Sequence, residues 1–232
     1  MQVIAHRGAS GHEPENTLRA IKHALNTGVD GIEIDLHEVE GEIVVIHDRW
    51  LHRTTSGKGQ ISDHKFEYLR TLDAGKGEKI PTLNEVFELI AGQCFLNLEL
   101  KGIHNLALFY QLLNNAETQY GFNSQQLLIS SYNHRLLHTI HQQKPQYPLG
   151  ALTACYPLDY ALFAERLHAY SVHLNVDFIS KDFVKDAHAR GLKVFVYTVD
   201  ELADIDTMKF LGVDGIFSNY PTESKNYIAH HD

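Results

Sequence analysis

Cysteine is scarce in this chain: two residues in 232, Cys94 and Cys155. Two thiols cannot build a disulfide framework, and their separation matches no metal-ligand spacing. Both lie in apolar words, GQCFLNL and LTACYPL, so both are expected to be buried and inert. Long apolar runs are missing as well. None approaches the ~20 residues of a membrane span, and the opening MQVIAHRG has neither the basic start nor the apolar core of a secretory signal. The expectation is a cytoplasmic protein with no stable membrane insertion. Positive charge is in deficit: 20 Lys+Arg against 29 Asp+Glu give a net charge of −9. That balance disfavours nucleic acid or an anionic membrane surface as the main partner. An acidic protein that handles phosphate must gather positive charge locally, from a metal ion or from a few chosen Arg and Lys. No GxGxxG follows the first strand and no P-loop occurs anywhere, which argues against an open doubly wound sheet.

What is present is ordinary globular material, 44% hydrophobic and 21% charged, enough for a sizeable core. Short β-branched runs alternate with helical patterns. Strands are expected over residues 3–6, 31–36, 94–100, 127–131, 148–153, 171–174, 193–199 and 215–219. Leu18, Ile21 and Leu25 share one helix face, as do Leu83, Val86, Phe87 and Ile90 behind a Thr82/Glu85 capping box. Asp200 reads as the N-cap of a helix through Leu202, Ile205 and Met208 that stops at Gly212; another helix, 181–190, stops at Gly191. The related words GVDGIEI and GVDGIFS, beginning at Gly28 and Gly212, each read as a helix C-cap followed by a strand entry.

Eight strands with helices between them predict an α/β fold of the TIM-type (β/α)8 class, one domain spanning 1–232. One segment breaks the rhythm. In HEVEGEIVVIHD the two apolar runs are too close for a parallel crossover, so a hairpin near Glu40–Glu42 is expected, bringing His47 back beside Asp35. Residues 49–79, rich in Gly, Thr and charge, then form a small insertion after the second strand.

In such barrels the chemistry gathers at the C-terminal ends of the strands, and that is where the unusual polar residues fall. His6 and Arg7 end the first strand. Glu33 and Asp35 alternate with Ile32, Ile34 and Leu36, so both carboxylates point to one face. Glu99 and Lys101 repeat the i, i+2 spacing, which also fits a structural ion pair. Ser131, Tyr132, Asn175 and Asn219 close other strands and fit helix caps or turns as well; Tyr197 fits either a core aromatic or a substrate wall. The terminal His230-His231 pair reads as a disordered tail. Three converging carboxylates need a cation between them, and all-oxygen ligands suit one hard divalent ion, Mg²⁺ or Ca²⁺. Arg7 suits bidentate phosphate binding and Lys101 a point-charge contact, while His6 and His47 suit proton transfer near neutral pH. Together these groups describe phosphodiester cleavage.

The words HRG at 6–8, PENT at 14–17, EIDLH at 33–37, VVIHD at 44–48, RTTSGKG at 53–59, PTLNEVF at 81–87, LELK at 98–101, ISSY at 129–132 and GLKVFVYTVD with GVDGIFSNYP near the end occur in one order. In this the chain resembles the glycerophosphodiester phosphodiesterase family over residues 3–222. The resemblance implies a TIM-type barrel with an insertion after its second strand. It implies a metal held by Glu33, Asp35 and Glu99, acid/base work by His6 and His47, and phosphate contacts from Arg7 and Lys101, with Tyr197 as a substrate wall. The reaction implied is hydrolysis of small glycerophosphodiesters to sn-glycerol 3-phosphate and an alcohol, with the glycerol 2-hydroxyl or water as nucleophile. The family often has Trp at the position of Tyr197, Asn at that of Asp200 and Phe at that of Tyr132. Two other readings stand beside this one. A lysophospholipase D or phospholipase C-like enzyme would use Phe66, Tyr68 and Leu69 of the insertion to admit a lipid tail. A non-catalytic phosphate-binding barrel would be expected to lose a histidine or a carboxylate, and this chain keeps all five.

Overall fold

In a computed structural model of the chain, residues 1–231 are described. Nine strands form one sheet: β1 Gln2–His6, β2 Gly31–Val39, β3 Glu42–Val45, β4 Phe95–Gly102, β5 Leu127–Ser131, β6 Leu149–Thr153, β7 Ser171–Asn175, β8 Lys193–Tyr197 and β9 Gly215–Ser218. Eight run parallel in the order β1-β9-β8-β7-β6-β5-β4-β2, and a β1–β2 pairing closes them into a (β/α)8 barrel. β3 lies outside the barrel, antiparallel to β2, with Leu36 opposite Val45. The hairpin turns at Glu40 and Gly41, both with positive φ (51° and 81°).

The parallel register explains why the strands read as apolar runs interrupted by polar residues. One set of side chains faces the surrounding helices; Ile32, Ile34, Leu98, Ile129, Val172 and Val194 belong to this large core. The alternate set fills the barrel. Ile4, Leu128, Phe195 and Phe217 form an apolar plug; nearer the C-terminal strand ends the inward positions become His6 on β1 and Tyr197 on β8, joined by Asp35 on β2 and Glu99 on β4. Burial on both faces is the rule for parallel barrels.

The helices are bounded as their caps dictate. α1 Leu18–Thr27 starts at Thr17, whose Oγ1 accepts from the Ala20 N–H, and ends at Gly28 in the left-handed region. α2 Phe66–Leu69 is a single turn within the insertion. α3 Leu83–Ile90 carries the complete Thr82/Glu85 capping box. α4 Leu106–Gln119, α5 His134–Gln143, α6 Leu162–Arg166 and α7 Lys181–Ala189 follow. α8 Leu202–Leu211 ends at Gly212 (φ 80°). Its start differs from expectation: Glu201 occupies the N-cap without a side-chain bond, because the Asp200 carboxylate is drawn to donors on Ser218, the last residue of β9, and on Asn219 just after it. α9 Pro221–His231 is the second correction, since it holds His230 and His231 in a helix rather than a tail.

Residues 49–79 contribute Leu51, Ile61, Leu69, Leu72 and Ala74 to a satellite core with Val39, Val44, Ile46 and Ile80. Arg70 ties this layer to α3 through a two-pronged pair with Glu85 (2.8 and 2.6 Å). Leu69 is fully buried and Phe66 packs against the cluster. Of the three apolar residues read as a lipid lip, only Tyr68 is exposed.

Candidate active site

The polar end of the barrel holds a cavity lined by His6, Arg7, Glu33, His47, Glu99, Lys101 and Tyr197, with Tyr132 on its rim and Asn97, His173 and Phe217 below. Asp35 lies behind this lining, buried between its partners. The strand ends thus bring together all eight of the site residues read from the sequence.

Turn geometry places the first of them. After β1 the chain turns through Arg7 (φ 58°) and Gly8 (φ 77°). A Cβ on Gly8 would stand 2.7 Å from the Ala20 carbonyl carbon, so only glycine lets the turn pack on α1. The turn aims the Arg7 N–H at Glu33 Oε2 (2.8 Å) and its guanidinium at Asp35 (3.3 Å) and Glu15 (2.8 Å). The hairpin does for His47 what the chain's spacing foretold: the Ile46 N–H bonds to the Asp35 carbonyl (3.0 Å), and His47 follows it into the cavity.

Glu33, Asp35 and Glu99 are all buried, and one carboxylate oxygen from each lies within 4.8 Å of the others. Burial and the neighbouring Asp35 and Glu99 charges push the Glu33 carboxyl well above its ordinary range. Burial and Asp35 also raise Glu99. Asp35 goes the other way: burial alone would raise it, but Lys101 and Arg7 outweigh that cost and hold it low. Lys101 Nζ stands 3.4 Å from Asp35 Oδ1 and pairs with Glu99. Glu33 Oε1 and Asp35 Oδ1 have no hydrogen-bond partner among the described residues. Two orphaned oxygens inside a cluster of buried anions fit the donor set of a hard cation.

The two imidazoles are held differently. His6 Nδ1 meets Asn219 Oδ1 at 2.8 Å; burial and the adjacent Arg7 charge push its conjugate acid down to about 4. His47 Nδ1 meets the Asp48 carboxylate at 2.6 Å, and Arg53 holds that carboxylate in place through Nε at 2.5 Å. Tyr197 donates to the Thr153 carbonyl (2.9 Å) and touches Tyr132 hydroxyl to hydroxyl, so its ring is a fixed wall of the cavity.

Several residues here escaped the sequence reading of roles. Asn16 binds Asp35; Glu15 joins Arg7 to Arg53. Both stand in the PENT word, whose place in the family resemblance was the available signal. Asn219 is a partner of His6 rather than a cap, and Asp200 binds Asn219. Cys155 is exposed, against expectation, because the β6–α6 loop turns it outward; Cys94 is buried.

A closed parallel barrel with carboxylates, imidazoles and cations converging at its C-terminal mouth defines a TIM-barrel enzyme. The chain matches the glycerophosphoryl diester phosphodiesterase family over residues 6–223. It is 39% identical to a glycerophosphodiester phosphodiesterase of Caldanaerobacter subterraneus subsp. tengcongensis, over 97% of each chain. It is 33% identical to one of Bacillus altitudinis, over 95% of each. Among solved structures, a phosphodiesterase of Oleispira antarctica in complex with the product sn-glycerol-3-phosphate superposes with a TM-score of 0.90 at 33% identity, covering 99% of this chain and 97% of that one. The chain belongs to the glycerophosphoryl diester phosphodiesterase family and is a phosphoric diester hydrolase. No helix among the described residues is long and apolar enough to cross a membrane.

Proposed function

We propose that the protein hydrolyses glycerophosphodiesters to sn-glycerol 3-phosphate and an alcohol, with one divalent cation, Mg²⁺ or Ca²⁺, and two histidines that move protons. The observation that carries this reading is the convergence of the buried carboxylates with two imidazoles and two cationic side chains on one cavity. Glu33, Asp35 and Glu99 are the ligands of the cation. When bound, it supplies Lewis-acid polarisation of the phosphate. Arg7 and Lys101 take the phosphate oxygens, Arg7 through its planar fork and Lys101 as a point charge. Both are anchored by the carboxylates, so their charges are oriented before substrate enters. His6, His47 and these two cations surround the space where the phosphate sits. One imidazole removes the proton of the attacking hydroxyl and the other protonates the leaving alcohol. Tyr197 is a substrate wall of the cavity.

The complex of the Oleispira antarctica enzyme with sn-glycerol-3-phosphate supports the product class. We also read the chain as one barrel domain carrying 49–79 as an insertion. The inward-turned Phe66 and Leu69 favour small diesters over a lipid whose tail would need that insertion. The test is glycerol 3-phosphate release from glycerophosphocholine by His6→Ala and His47→Ala. Each is expected to lose roughly 10²–10⁴-fold in turnover with its fold intact. Near-wild-type turnover in both variants overturns the assignment, and a strong preference for a long-chain lysolipid overturns the substrate class.

A further inference from the structure

Asp200 follows β8, and its carboxylate grips Asn219 twice. Oδ1 accepts the Asn219 backbone N–H at 2.7 Å, and Oδ2 accepts the side-chain Nδ2–H at 2.6 Å. The Ser218 hydroxyl donates a third bond to Oδ1 at 3.1 Å. A carboxylate only accepts, so the amide nitrogen of Asn219 is turned toward Asp200. The reverse orientation would set two acceptors against each other. The amide oxygen is thereby turned toward His6, 2.8 Å from Nδ1, with the Ser10 Oγ 2.7 Å away on the same oxygen. An amide oxygen has no proton to give. The proton of the His6 contact therefore sits on Nδ1, and in the neutral ring the lone pair sits on Nε2.

We propose that Asp200 is a positioning residue which, through the Asn219 side-chain amide, holds His6 in the Nδ1–H tautomer with Nε2 as the proton acceptor of the cavity. This rests on the reading of His6 as a proton-transfer group given above. The tautomer itself rests only on the hydrogen bonds. Among the described residues the hydrogen bonds of the Asp200 side chain go to Ser218 and Asn219 and to none of the cavity-lining or acidic-cluster residues, so its effect passes through one rotatable amide.

The replacement Asp200→Asn makes the logic testable. An amide at 200 can still accept the Asn219 backbone N–H through Oδ1, but its Nδ2–H then faces Asn219. The Asn219 amide must rotate to offer oxygen to that donor, which points its own N–H at His6 Nδ1 and moves the His6 proton to Nε2. The double variant Asp200→Asn/Asn219→Asp exchanges the two groups and restores an acceptor opposite Nδ1.

The experiment is ¹⁵N NMR of the histidine side chains in the full chain, with His6 assigned by its loss in His6→Gln, beside steady-state kinetics on glycerophosphocholine. Expected are a protonated Nδ1 and lone-pair Nε2 in the wild type, the reversed tautomer in Asp200→Asn, and the original tautomer in the double variant. Turnover should fall about 10²-fold in the single variant, the low end for loss of a proton-transfer group, with KM little changed. The double variant should recover most of it. A wild-type His6 protonated at Nε2, or an Asp200→Asn protein with an unchanged tautomer, overturns the proposal. Lost turnover without tautomer reversal, and without rescue by the double variant, marks Asp200 as merely structural and overturns it equally. If the wild type released no glycerol 3-phosphate, the functional reading would fail while the spectra still decided the tautomer.

Discussion

Asn16 and Asp35 hold each other in both directions: Asn16 Nδ2 donates to Asp35 Oδ2 at 2.8 Å, and the Asp35 backbone N–H donates to Asn16 Oδ1 at 3.2 Å. Both residues are buried. The carboxylate at the centre of the acidic cluster is thus oriented by a loop residue 19 positions upstream. Replacing Asn16 with Ala strands a buried acceptor and a buried N–H. The expected cost is about 1–3 kcal/mol of stability, with weaker divalent-ion binding. Urea denaturation and calorimetric titration with Mg²⁺ and Ca²⁺ check both, and a variant matching the wild type in both contradicts the role given to the PENT word.

The raised Glu33 and Glu99 carboxyls make the stability of metal-stripped protein depend on pH. An acid with a folded-state pKa above its unfolded one binds more protons when folded. It costs nothing below the unfolded value near 4.5 and destabilises progressively as pH rises above it. The lowered Asp35 acts oppositely: its contribution is present above its ordinary range and is lost only as pH falls through its depressed value. EDTA-treated protein should therefore lose stability between pH 5 and 8 relative to Glu33→Gln. Thermal melts at the two pH values read this difference, and identical pH dependence in the two proteins would refute it.

The cysteines differ in reactivity. Cys155 is exposed, whereas burial and the nearby Asp30 push the Cys94 thiol up to about 12. A thiol reagent at pH 8 should label Cys155 in the native protein and reach Cys94 only after unfolding. Prompt labelling of both would mean that the packing around β4 opens easily.

Much of this architecture was legible in the chain because barrel strands carry two separate messages. The outward positions Ile32, Ile34 and Leu98 supply an apolar run, while the inward Glu33, Asp35 and Glu99 break it at period two; only an interior cluster reconciles them. The hairpin at Glu40 and Gly41 followed from chain length alone, since a parallel crossover needs more residues. What escaped was the layer that orients the site. Asp200 before Leu202 looks like a helix cap, and only the closure of β9 beside β1 reveals Asn219 as a better use of its carboxylate. The pairings of Asn16 with Asp35 and of Glu15 with Arg53 likewise depend on how loops fold over the barrel mouth, which local patterns do not encode. Cys155 misled because β6 ends at Thr153, and the apolar Tyr156 and Leu158 that follow the cysteine are themselves exposed.

In the proposed function the Glu33, Asp35 and Glu99 cluster holds the cation on which diester hydrolysis depends. The direct measurement is glycerol 3-phosphate release from glycerophosphocholine and glycerophosphoethanolamine. It is run on EDTA-treated protein and again after adding Mg²⁺ or Ca²⁺, with Asp35→Asn in parallel. Release that vanishes with EDTA, returns with one of the ions and stays absent in folded Asp35→Asn is the result expected. Undiminished release from fully stripped wild-type protein would show that hydrolysis needs no cation at this cluster.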